Sequence, residues 1–398
     1  MKKIIDRLAR WIFTVGGFTT SIVILLIIVF LFGEAAGLFR KNIVEGGYSV
    51  VVNPSNPVSQ LSVQQLKQIF DEDITNWEEL GGPDEKIVIL RLSDLEKIYS
   101  SEELGAQYEH AAACIGRQVA AVPGIVAFLP SSLLDGAEGI SIMHEGTIDG
   151  KDIFFGKEWY PTATPAPVFG ILPLVAGTLW VSLFAILIAL PFGLAVSIYM
   201  AECASERVRK LLKPVIELLG GIPSVVYGFF GLTVIVPLLQ RVFNLPVGES
   251  GLAGSIVLAI MALPTIITVS EDALRSCPRA MREASLALGA TRLQTVFKVV
   301  IPYSISGITS AAVLGIGRAV GETMAVLMVT GNAAVIPHSI LDPLRTIPAT
   351  IAAELGEAPA GGAHYESLFL LGVILFFITL IINSCVELVS IRNKNRGR

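Results

Sequence analysis

Through most of this chain apolar residues do not alternate with polar ones; they run together. Six long stretches stand out, at roughly 11–33, 170–200, 215–238, 252–270, 303–330 and 367–391. Each is near or above the roughly 20 residues that a helix needs to cross about 30 Å of hydrocarbon. The fourth is short and interrupted by Pro264, so six spans are expected, with seven or five as the alternatives. Before the first stretch come Lys2, Lys3, Arg7 and Arg10, and after it Gly33-Glu-Ala-Ala-Gly37, the order found in a signal peptide. Its apolar core is longer than the roughly 7 to 15 residues of a signal sequence, which points to an uncleaved first helix.

Between Glu45 and Glu158 the pattern changes. Tyr48-Ser-Val-Val-Val52 has strand character, Ser62 is placed to cap a short helix through Phe70, Ile87-Val-Ile-Leu90 is strand-like, and Val122 to Leu129 ends in another such run. Alternating strands and helices make an α/β domain. The expected fold is therefore an α-helical polytopic membrane protein of about six transmembrane helices with an inserted external α/β domain. Its divisions are 1–44 for the cytoplasmic N-terminus and first helix, 45–158 for the insert, and 159–398 for the remaining spans with a loop at 272–302.

Composition supports a lipid solvent: 53% of the residues are hydrophobic and 16% charged, more apolar surface than one soluble domain can hide. The net charge of -5 says less than where the charges fall. With six spans, the ends and loops on the amino-terminal side hold 17 of the 29 basic residues, among them Arg207, Arg209, Lys210, Lys213, Arg275, Arg279, Arg282, Arg292, Lys298 and Arg392. The positive-inside rule then puts both termini in the cytoplasm, with Arg40 and Lys41 as a small violation. The insert carries nineteen acidic residues against seven basic ones. Asp71, Asp73, Glu78, Glu79, Asp84 and Glu85 crowd one part of it, a solvated face that repels anions as a whole.

Other chemistries find little support. Cys203, Cys277 and Cys385 fall on or near the cytoplasmic side and Cys114 alone lies outside, so no external disulfide is expected. No CxxC pair suggests a metal cluster, and no cofactor or nucleic-acid partner is expected. Gly150-Lys151 and Gly156-Lys157 lack the rest of a phosphate-cradling GxxxxGK[ST] loop. Energy for any active process is therefore expected from another chain, and this one is not expected to be an enzyme.

Two motifs carry function. Between the fourth and fifth spans stand Glu283-Ala284-Ser285, Gly289, Val299 and Ile301-Pro302. A short amphipathic helix ending near a glycine turn gives a knob that a soluble partner can grip, and Pro302 starts the next span; a chance loop with the same letters is the alternative. Within the fifth span runs Gly315-Ile-Gly317-Arg318-Ala-Val-Gly321-Glu322-Thr323-Met324. Arg318 and Glu322, four residues apart, are expected on one helical face. Charges this deep in an apolar stretch are costly unless they pair or line a wet path. The planar fork of Arg318 suits an oxyanion, with Glu322 holding it until substrate arrives; the alternative is a structural ion pair joining helices. The three glycines favour close helix contact in either case.

The first motif resembles the coupling signature of binding-protein-dependent ABC permeases, Glu-Ala-Ala, three residues, Gly, nine residues, Ile-x-Leu-Pro, with conservative departures at Ser285, Val299 and Ile301. The second motif, together with Phe169-Gly-Ile-Leu-Pro173, Gly177-Thr-Leu179 and Glu217-Leu-Leu-Gly-Gly-Ile-Pro-Ser-Val-Val-Tyr-Gly228, resembles the PstC-type permease of the phosphate-specific ABC importer. The resemblance implies a permease subunit that forms a path for inorganic phosphate in the bacterial inner membrane, with Arg318, Glu322 and Thr323 along the path. Glu283, Ala284, Gly289 and Pro302 would couple it to ATP hydrolysis. Implied partners are a PstA-type permease, two ATP-binding subunits and an external phosphate-binding receptor. A membrane-anchored phosphate sensor, or a permease for molybdate, sulfate or phosphonate, are the other readings.

The insert has a resemblance of its own. Asn53-Pro-Ser-Asn-Pro57, Leu61-Ser-Val-Gln-Gln-Leu66, Ile69-Phe70, Ile74-Thr-Asn-Trp77 with Gly81-Gly82, and Pro123-Gly-Ile-Val-Ala-Phe128 are similar to the second lobe of PstS-type phosphate-binding proteins. That family places Arg and then Ser-Gly-Thr in its phosphate loop, whereas Arg91 here is followed by Leu92-Ser-Asp-Leu95. A half-domain without a complete anion site follows, leaving receptor docking, scaffolding or phosphate binding as its uses.

Overall fold

A computed structural model describes residues 2–40, 47–105, 107–143, 148 and 150–396. Lys41, Glu45 and Arg398, used above in reading charge and domain limits, lie outside the described residues. The chain divides into two compact units, Met1–Ile171 with Pro359–Ser367, and Leu172–Ala358 with Leu368–Arg398.

The first unit opens with helix α1 (Lys2–Gly37) and continues with β1 (Tyr48–Val52), α2 (Val63–Phe70), β2 (Val88–Arg91), α3 (Leu92–Ile98), α4 (Ser101–Leu104), α5 (Ala111–Ala121), β3 (Ile125–Pro130), β4 (Ser141–Ile142), α6 (Gly150–Phe155) and the short pair β5 (Trp159–Tyr160) and β6 (Val168–Phe169). Four strands form one sheet in the order β2-β3-β1-β4, with β2 parallel to β3 and β1 antiparallel to β3 and β4. Helices cover both faces, so the strands are apolar on both sides. Val50, Val52 and Val126 pack with Val63, Leu66, Ile69 and Trp77 on one face, while Val51, Ala127 and Leu129 pack with Leu95, Ile115 and Val119 on the other. This alternation is the period of two that a strand imposes.

Local chemistry fixes the elements where the sequence placed them. The Ser62 hydroxyl accepts from the Gln65 N–H at 3.2 Å, and the Gln65 side chain accepts from the Ser62 N–H at 2.9 Å, which closes a capping box at the start of α2. Trp77 is fully enclosed and its Nε1 donates to the Gly124 carbonyl at 2.9 Å. That bond holds the Pro123-Gly124 turn into β3, where a Cβ on residue 124 would stand 2.2 Å from the Lys86 carbonyl oxygen.

The second unit is helical. It comprises α7 (Leu172–Ile198), α8 (Glu206–Gly220), α9 (Ser224–Phe230), α10 (Val236–Phe243), α11 (Gly251–Arg275), α12 (Arg279–Ala287), α13 (Arg292–Thr295), α14 (Ile301–Val320), α15 (Met324–Val329) and α16 (Ile347–Glu354). Helix α17 (Ala363–Arg396) begins in the first unit and continues in this one. Single π-helical turns at Tyr199–Cys203, Gly231–Ile235 and Val296–Val300 extend α7, join α9 to α10 and join α13 to α14. Among the described residues six helices are long and apolar enough to cross a membrane: Phe13–Arg40, Leu172–Cys203, Ser224–Phe243, Gly251–Arg275, Arg292–Val320 and Ala363–Leu388.

Two expected spans are corrected. The third begins at Ser224 rather than 215, because α8 is a separate helix that stops at Gly220 and Pro223, fixed in φ and lacking an N–H, separates it from the span. The fifth does not run helically to 330, because α14 stops at Val320 and the chain resumes helix only at Met324. Pro264 leaves the fourth span intact as 25 residues of α11, which sits at the centre of the unit against α7 and α14.

Candidate functional site

Two places in the second unit hold the side chains that the sequence singled out. The first is the loop after α11. Pro278 precedes α12, and Leu288 and then Gly289 end it. Gly289 has φ +85°, a conformation that costs an L side chain strain, and its N–H donates to the Leu286 carbonyl at 3.0 Å. Glu283, Ala284 and Gly289 are exposed, as is Pro302 in the first turn of α14. Around them Met281, Leu286, Leu293 and Phe297 also stand out from the fold, and Leu288 is 90% exposed. An apolar group that open is not a core position, and several exposed together make a surface suited to contact with another protein.

One face of α12 is turned inward. Only Arg282 and Ser285, three residues apart, are less than exposed. The Ser285 and Thr295 hydroxyls lie 2.9 Å apart, tying α12 to α13. Arg282 Nη2 donates to Glu202 Oε1 at 2.7 Å and to the Leu274 carbonyl at 2.9 Å, and its Nη1 donates to the Cys277 carbonyl at 2.8 Å. Beside this lies a second charged group. Glu271, with 1% of its side chain exposed, meets Arg209 at 2.7 Å, Lys213 at 3.2 Å and Arg275 at 3.6 Å, which binds α8 to the end of α11. Burial works against the Lys213 ammonium, but bonds to Asp272 and Glu271 outweigh it and hold its pKa above the ordinary lysine value.

The second place is the end of α14. Arg318 is half-buried one turn before the helix stops, and its Nη1 donates to Thr265 Oγ1 of α11 at 3.4 Å. Glu322 and Thr323 lie in the break rather than on the helix. Glu322 Oε1 accepts from the Ala325 N–H at 3.5 Å, and the Thr323 hydroxyl donates to the Gly321 carbonyl at 3.3 Å. Such local bonds from side chain to backbone compete with helical ones, and they account for the break after Gly321. The expected Arg318–Glu322 pair on one helical face is therefore corrected: the two side chains are divided by a helix end, and among the described residues no carboxylate lies within 4.0 Å of Arg318.

Thr265, Arg282, Glu202 and Glu271 went unnoticed in the sequence. Glu271 offered a signal, since an acidic pair at the end of an apolar span faces the basic run from Arg207 to Lys213. For Glu202 and Thr265 the partner arrives from more than fifty residues away, and spacing carries no trace of it.

In the insert, Arg91 and Asp94 stand where the resemblance would place a phosphate loop that the sequence lacks. Arg91 Nη2 donates to the Phe70 carbonyl at 3.3 Å, and Asp94 Oδ2 accepts from the Arg91 N–H at 3.1 Å. A carboxylate of the chain itself thus occupies the first turn of α3.

Comparison with known proteins bears on both parts of the chain. Residues 193–394 match the family described as "Binding-protein-dependent transport system inner membrane component", and residues 31–106 match the "PBP superfamily domain". The chain is 39% identical over 282 residues to the probable ABC transporter permease protein YqgH of Bacillus subtilis, covering 71% of this chain and 89% of that protein. It is 35% identical to the phosphate transport system permease protein PstC of Pasteurella multocida, covering 63% and 82%. With PstC of Mesorhizobium japonicum it shares 37% identity, covering 58% and 76%.

Proposed function

Since the chain belongs to the family of binding-protein-dependent inner-membrane transport components, we propose that it is the PstC-type permease subunit of an ATP-driven importer of inorganic phosphate. It is a transport component of the inner membrane with both termini cytoplasmic, in which residues 1–44 anchor the chain, 45–158 form an external insert and 159–398 form the permease. A PstA-type permease, two ATP-binding subunits and an external phosphate receptor complete the importer. Phosphate is favoured over molybdate or sulfate because relatives at 35% and 37% identity are phosphate transport permeases.

The observation that carries the reading is Arg318. Its guanidinium lies in a membrane-spanning helix next to a helix break, held by the Thr265 hydroxyl and by no carboxylate among the described residues. An unneutralised guanidinium in an apolar stretch is costly and marks a functional contact, and its planar fork fits the oxygens of phosphate. Glu322 and Thr323, freed from the helix, supply polar groups along the same path. At the other motif, ATP-driven motion of the partner subunits reaches the spans through Glu283, Ala284, Gly289 and Pro302.

The insert serves docking or scaffolding, with Arg91 spent on a backbone carbonyl and Asp94 on the first turn of α3. A second negative charge at that turn is unfavourable.

The test is phosphate uptake by vesicles carrying the complete importer. Arg318→Gln is expected to lower uptake by about tenfold or more, since a hydrogen bond to a charged group contributes about 1.5–3 kcal/mol, while the ATP-binding subunits still co-purify. Arg318→Lys is expected to be poor as well, because a point charge lacks the fork. Full uptake by Arg318→Gln would take Arg318 off the path. Phosphate-dependent ATP hydrolysis without any uptake would instead favour a sensor.

A further inference from the structure

Helix α12 presents a problem of transmission. None of its residues is buried, and a knob that lies on the surface can be gripped without moving anything beneath it. Whatever carries motion from α12 into the membrane spans must run through its inward face, which consists of Arg282 and Ser285. Ser285 meets the Thr295 hydroxyl, at the start of the fifth span that α12 already adjoins in the chain. Arg282 reaches the ends of two further spans, the second and the fourth, at once.

We infer that Arg282 is the joint through which α12 moves α7 and α11 together, clasping the Glu202 carboxylate at the end of the α7 span and the carbonyls of Leu274, in the last turn of α11, and Cys277, just past its end. Its three bonds of 2.7, 2.8 and 2.9 Å all go to partners outside α12. The ion pair is sheltered, with 20% of the Arg282 side chain and 13% of the Glu202 side chain exposed. Glu202 sits within the π-helical turn Tyr199–Cys203, a single-turn bulge of the kind frequent at functional sites. Leu274 and Cys277 supply carbonyls at and just past the C-terminus of α11, where the helix dipole attracts a cation. Pulling α12 outward therefore loads the ends of α7 and α11 together, and these two helices pack along one another. Thr265, which holds Arg318, lies ten residues back along α11 from Arg275, about 15 Å at helical rise. The clasp and the anion contact are thus on one rigid element.

The inference rests on the proposal that ATP-binding subunits grip α12, and the experiment separates the two. Complete importer, assembled with wild-type chain, Arg282→Gln, Glu202→Gln or the double variant, is placed in vesicles, and phosphate uptake and ATP hydrolysis are measured on the same preparation. Allosteric coupling commonly spans about 5- to 150-fold, so phosphate moved per ATP hydrolysed is expected to fall about tenfold in Arg282→Gln, with the ATP-binding subunits still co-purifying. Glu202→Gln is expected to fall in the same direction, and the double variant no further than Arg282→Gln, because both singles open one joint. Arg282→Lys keeps the charge and one donor and is expected to lie between. A purely structural role would lower assembly, uptake and hydrolysis in proportion and leave phosphate per ATP unchanged; that result overturns the joint. So does a double variant whose loss is the product of the two single losses. If the wild-type chain fails to hold the ATP-binding subunits, the grip and the joint fall together.

Discussion

In the α/β insert the largest side chains are inside: Trp77, Ile69, Leu95, Ile115, Ile125 and Leu129 are fully enclosed. Along α7 of the helical unit the order is reversed. After Pro173 and Leu174 in its first turn, its buried positions are Gly177, Thr178, Val181, Ser182, Ala185, Ala189, Gly193 and Ser197, whereas Leu183, Leu187 and Phe192 stand outward. Water drives large apolar groups out of contact with it, so the insert hides them. Lipid tails are as apolar as leucine and give no such drive, so spans approach through small residues and hydrogen bonds. At Thr178 the hydroxyl both donates to the Leu174 carbonyl at 2.7 Å and accepts from the Ile347 N–H at 2.9 Å. The two units thus need opposite rules for predicting which substitution does harm.

The largest expected effect breaks the comparison at its centre. Trp77→Ala should destabilise the insert by about 3–5 kcal/mol, from lost transfer energy and the cavity left behind, with the loss of the indole bond to the Gly124 carbonyl adding to it. Leu187→Ala, a comparable loss of apolar volume from an outward position on α7, should be near neutral. Cys114, enclosed in the insert, provides the reporter. With the other three cysteines replaced, its labelling in detergent should begin at much lower urea in Trp77→Ala than in the parent. Equal midpoints would mean that the insert does not rely on a water-driven core.

A smaller effect sharpens the other half. A Cβ at position 177 would stand 2.2 Å from the Arg345 carbonyl oxygen. Adding a methyl group there forces α7 away from the segment before α16, and overpacking of this kind costs about 1–3 kcal/mol. Gly177→Ala should therefore lower the melting temperature of the detergent-solubilised protein. Gly317→Ala, where nothing lies within 4 Å, should hold or slightly raise it, since alanine is the better helix former. Equal melting temperatures would show that the contact at Gly177 yields freely.

The same contrast explains what was legible in the sequence. Strand β1, helix α2 with its Ser62 cap, and the strand ending near Leu129 stood where the pattern put them, because alternation and capping are local. The six spans were equally plain, since length and apolarity are local too. Boundaries failed where a break sits inside an apolar run: Pro223 interrupts the helix whereas Pro191 and Pro264 do not, so proline alone does not place the break, and nothing in 303–330 announces that the helix stops at Gly321. At the site, Arg318, Glu283 and Gly289 could be picked out by type and spacing, but their partners could not. The Thr265 contact and the Arg282–Glu202 pair join helices distant in sequence, and only packing brings them together. The supposed Arg318–Glu322 pair shows the converse error, in which helical spacing was taken to continue across a helix end.

The smallest effect concerns charge at the insert surface. Asp94 Oδ1 accepts from Lys97 Nζ at 2.9 Å, and Oδ2 accepts from the Arg91 N–H at 3.1 Å. The Lys97 bond, and after it the Arg91 bond, hold the Asp94 carboxyl below the usual aspartate range. Because the folded value is the lower one, the ionised group stabilises the fold above the unfolded pKa of about 3.9, and this stabilisation is lost as pH falls through the folded value. Asp94 is open to solvent, and exposed pairs contribute about 0.2–1 kcal/mol, so Asp94→Asn should cost little at pH 7. In urea unfolding followed by tryptophan fluorescence, the gap between wild type and Asp94→Asn should be constant above about pH 5 and close as the pH falls below the ordinary aspartate value. A gap that widens on acidification would mean that Asp94 is held protonated. Its carboxylate would then not be the negative charge that fills the first turn of α3, and the place where PstS-type proteins carry their phosphate loop would be open to an anion.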